Sequence, residues 1–178
     1  EMSLHLSGSI GMPITPEELI GSGLDDGFLL QIGQGETSRQ LHLGSKAGAS
    51  DFEASQRWHE IDMAAGWVWI DESLQDIWTP HMLSLQQINA FSLNKGCYPG
   101  QEIVARTHYL GKSKRGLFVI TGKNLQPGAP LFQANREVGR VANSSYDGSM
   151  GVAVLNAGIP PESTLDGSVM VGEAVSAA

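Results

Sequence analysis

Arg115–Thr121, reading RGLFVIT, opens the stretch whose reading decides the fold. It is followed by Pro130–Gln133 (PLFQ), Glu137–Asn143 (EVGRVAN), Ser149–Leu155 (SMGVAVL) and Ser168–Glu173 (SVMVGE). Gly122, Pro127-Gly128, Asp147-Gly148, Pro160-Pro161 and Asp166-Gly167 punctuate these runs. Short β-rich runs at this spacing, separated by turn residues, predict a small antiparallel barrel. Residues 111–178 are therefore read as a C-terminal β-barrel, with the boundary near Gly111.

Just upstream lies the one basic island of an acidic chain. Residues 1–94 carry a net charge of -10, residues 95–115 a net +4 and the remainder a net -2, within a total of -8. The island comprises Lys95, Arg106, Lys112, Lys114 and Arg115 against Glu102. Such a patch on an acidic body calls for an anionic ligand or partner.

The island begins with KGCYPGQEIVAR, Lys95 to Arg106, which contains the single cysteine, Cys97. Gly96 breaks the apolar AFSLN run before it, which reads as a short strand. Pro99 fits the first turn of a helix, where its missing N–H costs nothing. GQEIVARTHY then reads as that helix, with Ile103, Arg106, Thr107 and Leu110 at helical spacing and Gly111 as its stop. Cys97 is placed in a turn ahead of the helix N-terminus, where the helix dipole and Lys95 favour thiolate over thiol. Glu102 and Arg106 stand at i, i+4 and are expected to pair. Each feature has a bland reading: a buried small cysteine, a surface ion pair, a solvated basic loop at Lys112–Arg115. Their coincidence in one short stretch favours a site.

At 178 residues the chain holds one large domain or two small ones. Its hydrophobic fraction of 41% supports a core. One cysteine makes no internal disulfide, which suits a reducing cytosol and a cytoplasmic location. No signal peptide pattern and no membrane-length apolar run is present. The histidines lack zinc spacing, so no metal site is expected.

Met2–Ile10 alternates and reads as a strand. Thr15-Pro16-Glu17-Glu18 is a capping box before a short helix ending near Ile20. Phe28–Ile32 and Arg39–Leu43 read as strands around Gly33-Gln34-Gly35, a hairpin turn that lacks the rest of a phosphate loop. Ala49–Arg57 has helical character, with Ser50 as its cap. Trp58–Met63 is open between helix and strand. The tryptophans between Trp58 and Trp78 are assigned to the core, because Asp62, Asp71, Glu72 and Asp76 would repel a nucleic acid. Pro80 begins or precedes a short helix to Ile88.

Lys95-Gly96-Cys97-Tyr98-Pro99-Gly100-Gln101-Glu102 resembles the K-G-C-[FY]-x-G-Q-E signature of the YgfZ family, folate-binding relatives of the glycine-cleavage T-protein (aminomethyltransferase). The likeness continues through Ile103-Val104-Ala105-Arg106 and Lys114-Arg115-Gly116-Leu117. Trp58…Ile61…Ala65-Gly66-Trp67 is similar to the family's W-…-I-…-A-G-[IF]-P, and Thr79–Leu85 to its P-Q-x-x-N-L. Trp69 and Ser84, the latter in place of the usual Asn, depart from the pattern. The resemblance implies an α+β fold, a ferredoxin-like α/β region before the antiparallel barrel, and it tips Trp58–Met63 toward a strand. It also implies that residues 1–110 form an incomplete folate-binding region, the chain being the C-terminal portion of a longer protein. No counterpart of the T-protein's N-terminal catalytic acid is found.

What the resemblance implies for function is tetrahydrofolate, or a one-carbon derivative, held by Lys95, Gly96, Tyr98, Gly100, Gln101, Glu102 and Arg106. Cys97 would be the reactive thiolate. The role would be support of iron–sulfur proteins and of the tRNA modification that depends on them, with iron–sulfur clients or assembly proteins as partners. One alternative is a true aminomethyltransferase moving a one-carbon unit to tetrahydrofolate. Another is a non-catalytic module for RNA or a protein, although the net charge of -8 argues against direct nucleic-acid binding.

Overall fold

The computed structural model describes residues 3–7, 23–24, 27–32, 39–44, 51–93, 96, 99–111 and 113–175. The chain divides into two compact units, Glu1–Asp62 and Met63–Ala177 with Ala178 grouped with the first.

In the first unit four strands form an antiparallel sheet: β1 (Ser3–Ser7), β2 (Gly23–Leu24), β3 (Gly27–Ile32) and β4 (Arg39–Gly44), ordered β1-β4-β3-β2. The strand expected at Met2–Ile10 is present as the shorter Ser3–Ser7, and those expected at Phe28–Ile32 and Arg39–Leu43 are each present and one residue longer. β3 and β4 pair antiparallel from Gly27↔Gly44 to Ile32↔Arg39, as a hairpin requires. The capping-box helix, the Gly33-Gln34-Gly35 turn and Ser50 lie outside the described residues, as does much of the expected ferredoxin-like arrangement.

Helix α1 spans Phe52–Ala64. Its cap is Asp51, whose Oδ1 accepts from Ala54 N–H at 3.1 Å. Trp58–Met63 is thus helical, against the strand that the resemblance favoured. A well-placed acidic cap and a run free of Gly and Pro propagate the helix through it.

The second unit is built on six antiparallel strands: β5 (Arg115–Thr121), β6 (Pro130–Gln133), β7 (Arg136–Ser144), β8 (Met150–Asn156), β9 (Thr164–Leu165) and β10 (Val169–Ala174). Their order is β6-β7-β8-β5-β10-β9. Five of them fall on the five runs read from the sequence; β9 is too short to show there. β6 and β7 are joined by Ala134-Asn135, both in left-handed conformation (φ 49° and 63°), the requirement of a tight two-residue hairpin. Register shifts at Leu131/Phe132, Val141/Asn143 and Val171/Ala174 bend the sheet. The two ends then meet: Asp166 N–H donates to Phe132 O at 3.0 Å, and Phe132 N–H donates to Asp166 Oδ2 at 3.1 Å. The result is a nearly closed barrel-like sheet.

The central strands are buried on both faces, which explains why β8 reads as an unbroken apolar run. Phe118, Ile120, Val141, Ala153, Leu155 and Val171 fill the concave interior. Their alternates Leu117, Ala142, Val152 and Val154 point the other way and pack with Met63, Leu83 and Val175. Val68, Trp78, Met82 and Leu85 complete that outer layer. The change of texture at Gly111 therefore marks where the strands begin, while the compact unit starts at Met63.

Residues 80–90 carry no α-helix, contrary to the expected one. They form two successive single turns, each closed by the paired bonds that normally end a helix. Leu85 N–H donates to Pro80 O and Ser84 N–H to His81 O; Ala90 N–H donates to Leu85 O and Asn89 N–H to Gln86 O. Ser84 and Asn89 hold the left-handed closing position, each at φ 53°. Ser84 is further fixed because its hydroxyl accepts Leu117 N–H at 3.1 Å. The AFSLN run makes no strand among its described residues.

The tryptophans are also corrected. Trp67 and Trp69 are 44% and 59% exposed, Trp58 is half-buried, and Trp78 packs at the edge of the core. Residues 67–70 form no ladder; instead the buried Asn143 amide grips Trp69. Its Oδ1 accepts Trp69 N–H and its Nδ2 donates to Trp69 O, both at 2.7 Å.

Candidate functional site

Helix α2, Gln101–Leu110, ends before Gly111 as expected, but it starts at Gln101, so Pro99 precedes the helix instead of occupying its first turn. Its N-cap is Gly100 at φ 82°, a backbone state that a side chain resists, and no side chain caps the first turn. Gly100 has no side chain with which to satisfy the first-turn N–H groups, which lie at the positive end of the helix dipole. Glu102 sits in that first turn, the end of the helix that suits a carboxylate.

Gly96, Gly100, Glu102 and Arg106 are exposed and Gln101 is half-buried. Glu102 and Arg106 make no ion pair among the described residues, against expectation. Both side chains are solvated, where pairing returns little for the entropy it costs. Lys95, Cys97, Tyr98 and Lys112 lie outside the described residues. Lys114 and Arg115 are exposed at the start of β5, where Ser113 Oγ–H donates to Arg115 O at 2.6 Å.

The packing face of α2 differs from the one its spacing suggested. Ile103, Tyr109 and Leu110 point outward, and Val104 is the buried anchor. Gln101 and Ala105 flank it in half-buried positions.

At the other end of α2 the structure assembles groups that the sequence did not single out. His81 is 8% exposed, with its ring centroid 5.1 Å from Phe91 and 6.4 Å from His108. His108 meets Tyr109 edge-on at 5.0 Å. Burial, and secondarily the nearby His108, hold the His81 imidazole below its ordinary value, so it is neutral at pH 7. No sequence spacing links His81, Phe91 and His108; the double turn at 80–90 brings them together. No group of three metal-ligating side chains occurs among the described residues. No helix among them is long and apolar enough to cross a membrane.

The described residues define a chain with few helices built on a nearly closed antiparallel barrel-like sheet, with Gly100 opening α2 ahead of it. No protein-family model matches the chain. It is 36% identical over 149 residues to "tRNA-modifying protein YgfZ" of Pectobacterium atrosepticum, covering 78% of this chain and 44% of that relative. The protein of the same name from Sodalis glossinidius is 36% identical over 128 residues, 66% of this chain and 39% of the relative. That of Yersinia pestis is 38% identical over 95 residues, 53% of this chain and 28% of the relative. The chain belongs to the YgfZ family, and spans less than half the length of these relatives.

Proposed function

We propose that this chain carries the folate-facing signature of a YgfZ-type protein and serves tRNA modification. In this reading tetrahydrofolate meets the start of α2. Its glutamate tail is received by Lys95, Arg106 and the positive end of the helix behind Gly100, while Glu102 lies beside it and Gly96, Tyr98 and Gln101 belong to the same signature. Cys97, ahead of that helix start, is the thiolate that engages a folate-borne group or an iron–sulfur partner. The role in tRNA modification follows the printed name of the relatives, and the link through iron–sulfur enzymes follows the signature.

The observation that carries the reading is the 36% identity over 149 residues to proteins named for tRNA modification, in a chain whose basic island opens a helix with no side-chain cap. The experiment is a calorimetric titration with tetrahydrofolate of the wild type, Lys95→Ala and Arg106→Ala. Saturable binding that weakens about tenfold or more in either variant is expected, since charge-assisted contacts are worth roughly 1.5–3 kcal/mol. Saturable binding unchanged in both variants would remove the site from the signature, and no binding would end the folate reading for this chain. A Cys97→Ser variant that restores tRNA modification fully in cells lacking the family member would end the thiolate role.

A further inference from the structure

Phe91, His81, His108 and Tyr109 form a row of rings, with successive centroids 5.1, 6.4 and 5.0 Å apart. These are the separations of favourable aromatic pairs. Neither ring nitrogen of the buried His81 has a hydrogen-bond partner. An imidazole always carries a donor, and leaving it dry costs free energy. Buried polar groups of this kind mark positions that a ligand or water completes.

A cleft of about 480 Å³ opens beside the row, inside the roughly 300–1,000 Å³ range of small-molecule sites. Phe91, His108 and Tyr109 give it aromatic walls, and Gln86, Asn89 and Ser92 give it amides and a hydroxyl. Among the described residues no Asp, Glu, Lys or Arg lines it. The side-chain amides of Gln86 and Asn89 make no hydrogen bond among the described residues, and the closed turn fixes the Asn89 backbone. Flat aromatic surfaces beside open amides suit a flat ring with donors and acceptors along its edge.

We propose that this cleft binds a fused nitrogen heterocycle with an amide edge, the ring chemistry shared by guanine and pterins. The ring stacks at the His108–Tyr109 corner, and Gln86 and Asn89 read its edge. His81 completes the aromatic row behind it. The cleft is lined by the C-terminal end of α2, through His108 and Tyr109, whereas Gly100 opens the other end of that helix. With a pterin the proposal rests on the folate reading; with guanine it stands alone.

The test is a titration of the whole chain and of His108→Ala with guanosine and with pterin lacking a glutamate tail. It is followed by calorimetry and by the His81 imidazole resonances. Saturable binding of at least one compound is expected, with a shift of the His81 signals and a loss of about tenfold or more in His108→Ala, the scale of one lost stacking partner. Binding of guanosine alone supports a nucleobase site independent of folate, and binding of pterin alone supports a ring-binding subsite for folate. Failure of both compounds to saturate overturns the proposal, as does binding that leaves His81 and the His108→Ala affinity unchanged. Tetrahydrofolate binding that survives such a failure leaves the signature reading intact.

Discussion

Asn143 holds an irregular, tryptophan-bearing segment to the outside of the barrel, and its removal is the sharpest test of how the second unit is put together. The residue sits at a bulge of β7, 6% exposed. Its amide binds Trp69 N–H and O, both at 2.7 Å, much as a neighbouring strand would. Asn143→Ala removes both bonds. Each neutral hydrogen bond contributes a net ~0.5–1.5 kcal/mol, so the pair contributes about 2 kcal/mol. Trp69 is 59% exposed, so water can reach its freed peptide groups and keep the loss from growing further. Asn143→Asp is expected to be worse at pH 7. It keeps an acceptor for Trp69 N–H but sets a buried carboxylate against Trp69 O. Lowering the pH to protonate that carboxyl should recover part of the loss. The assay is urea unfolding followed by tryptophan fluorescence, with Trp69 itself as a reporter. An Asn143→Ala loss below about 0.5 kcal/mol, the scatter of ordinary surface changes, refutes the reasoning. An Asn143→Asp variant as stable as wild type at pH 7 does so equally.

Gly139→Ala on β7 is expected to destabilise by about 3 kcal/mol, the upper range for overpacking. The new methyl would overlap the Val154 carbonyl oxygen and come within 2.6 Å of Leu155 Cδ2 and 2.9 Å of Leu155 Cα, atoms that yield little; the same urea experiment measures it. Ser84→Ala strands the Leu117 N–H and should cost about 1–2 kcal/mol, whereas Ser84→Asn, at home in the left-handed region and carrying an acceptor, should recover most of it. His81 titrates below its ordinary value in the folded state. The unfolded chain therefore binds the proton first, and stability is present above about pH 6.5 and falls as the pH drops below it. Comparing urea midpoints at pH 8 and pH 5.5 should show that fall, and His81→Phe should flatten it.

The barrel was legible because its strands are short, apolar and separated by turn dipeptides, and both faces of β5 and β8 are covered. The ends of α2 were legible to within a residue or two; Gly100 holds the left-handed N-cap, whereas Gly111 follows the helix in an extended conformation. What sequence reading missed depends on contacts from afar. The helix at Trp58–Met63 was drawn toward a strand by resemblance, whereas the Asp51 cap and a Gly- and Pro-free run sustain it. The tryptophans at 67 and 69 read as core because hydrophobicity carries no direction, and Asn143 turns their backbone outward. The turns at 80–90 carry apolar residues at near-helical spacing. Ser84 and Asn89, neither a glycine, interrupt them by adopting a conformation that residue type only weakly signals. The same interruption sets His81 beside His108, so that cluster had no linear signature. The glycines and the acidic and basic members of the proposed folate site were readable as residue types.

The strand order imposes a schedule on synthesis. β5 is the first strand of its sheet to be made, yet one of its two neighbours, β10, is the last. While a nascent chain has delivered β6, β7 and β8, these can zip onto one side of β5. The other side of β5 then presents open N–H and C=O groups, and Ile120 waits for Val171. An unsatisfied apolar edge is a template for the wrong partner. The clasp of Asp166 onto Phe132 arrives only in the same late interval. Residues 164–174 thus act as a closing stitch, and the stretch of synthesis before them is the window in which this barrel is most open to mispairing with another copy of itself.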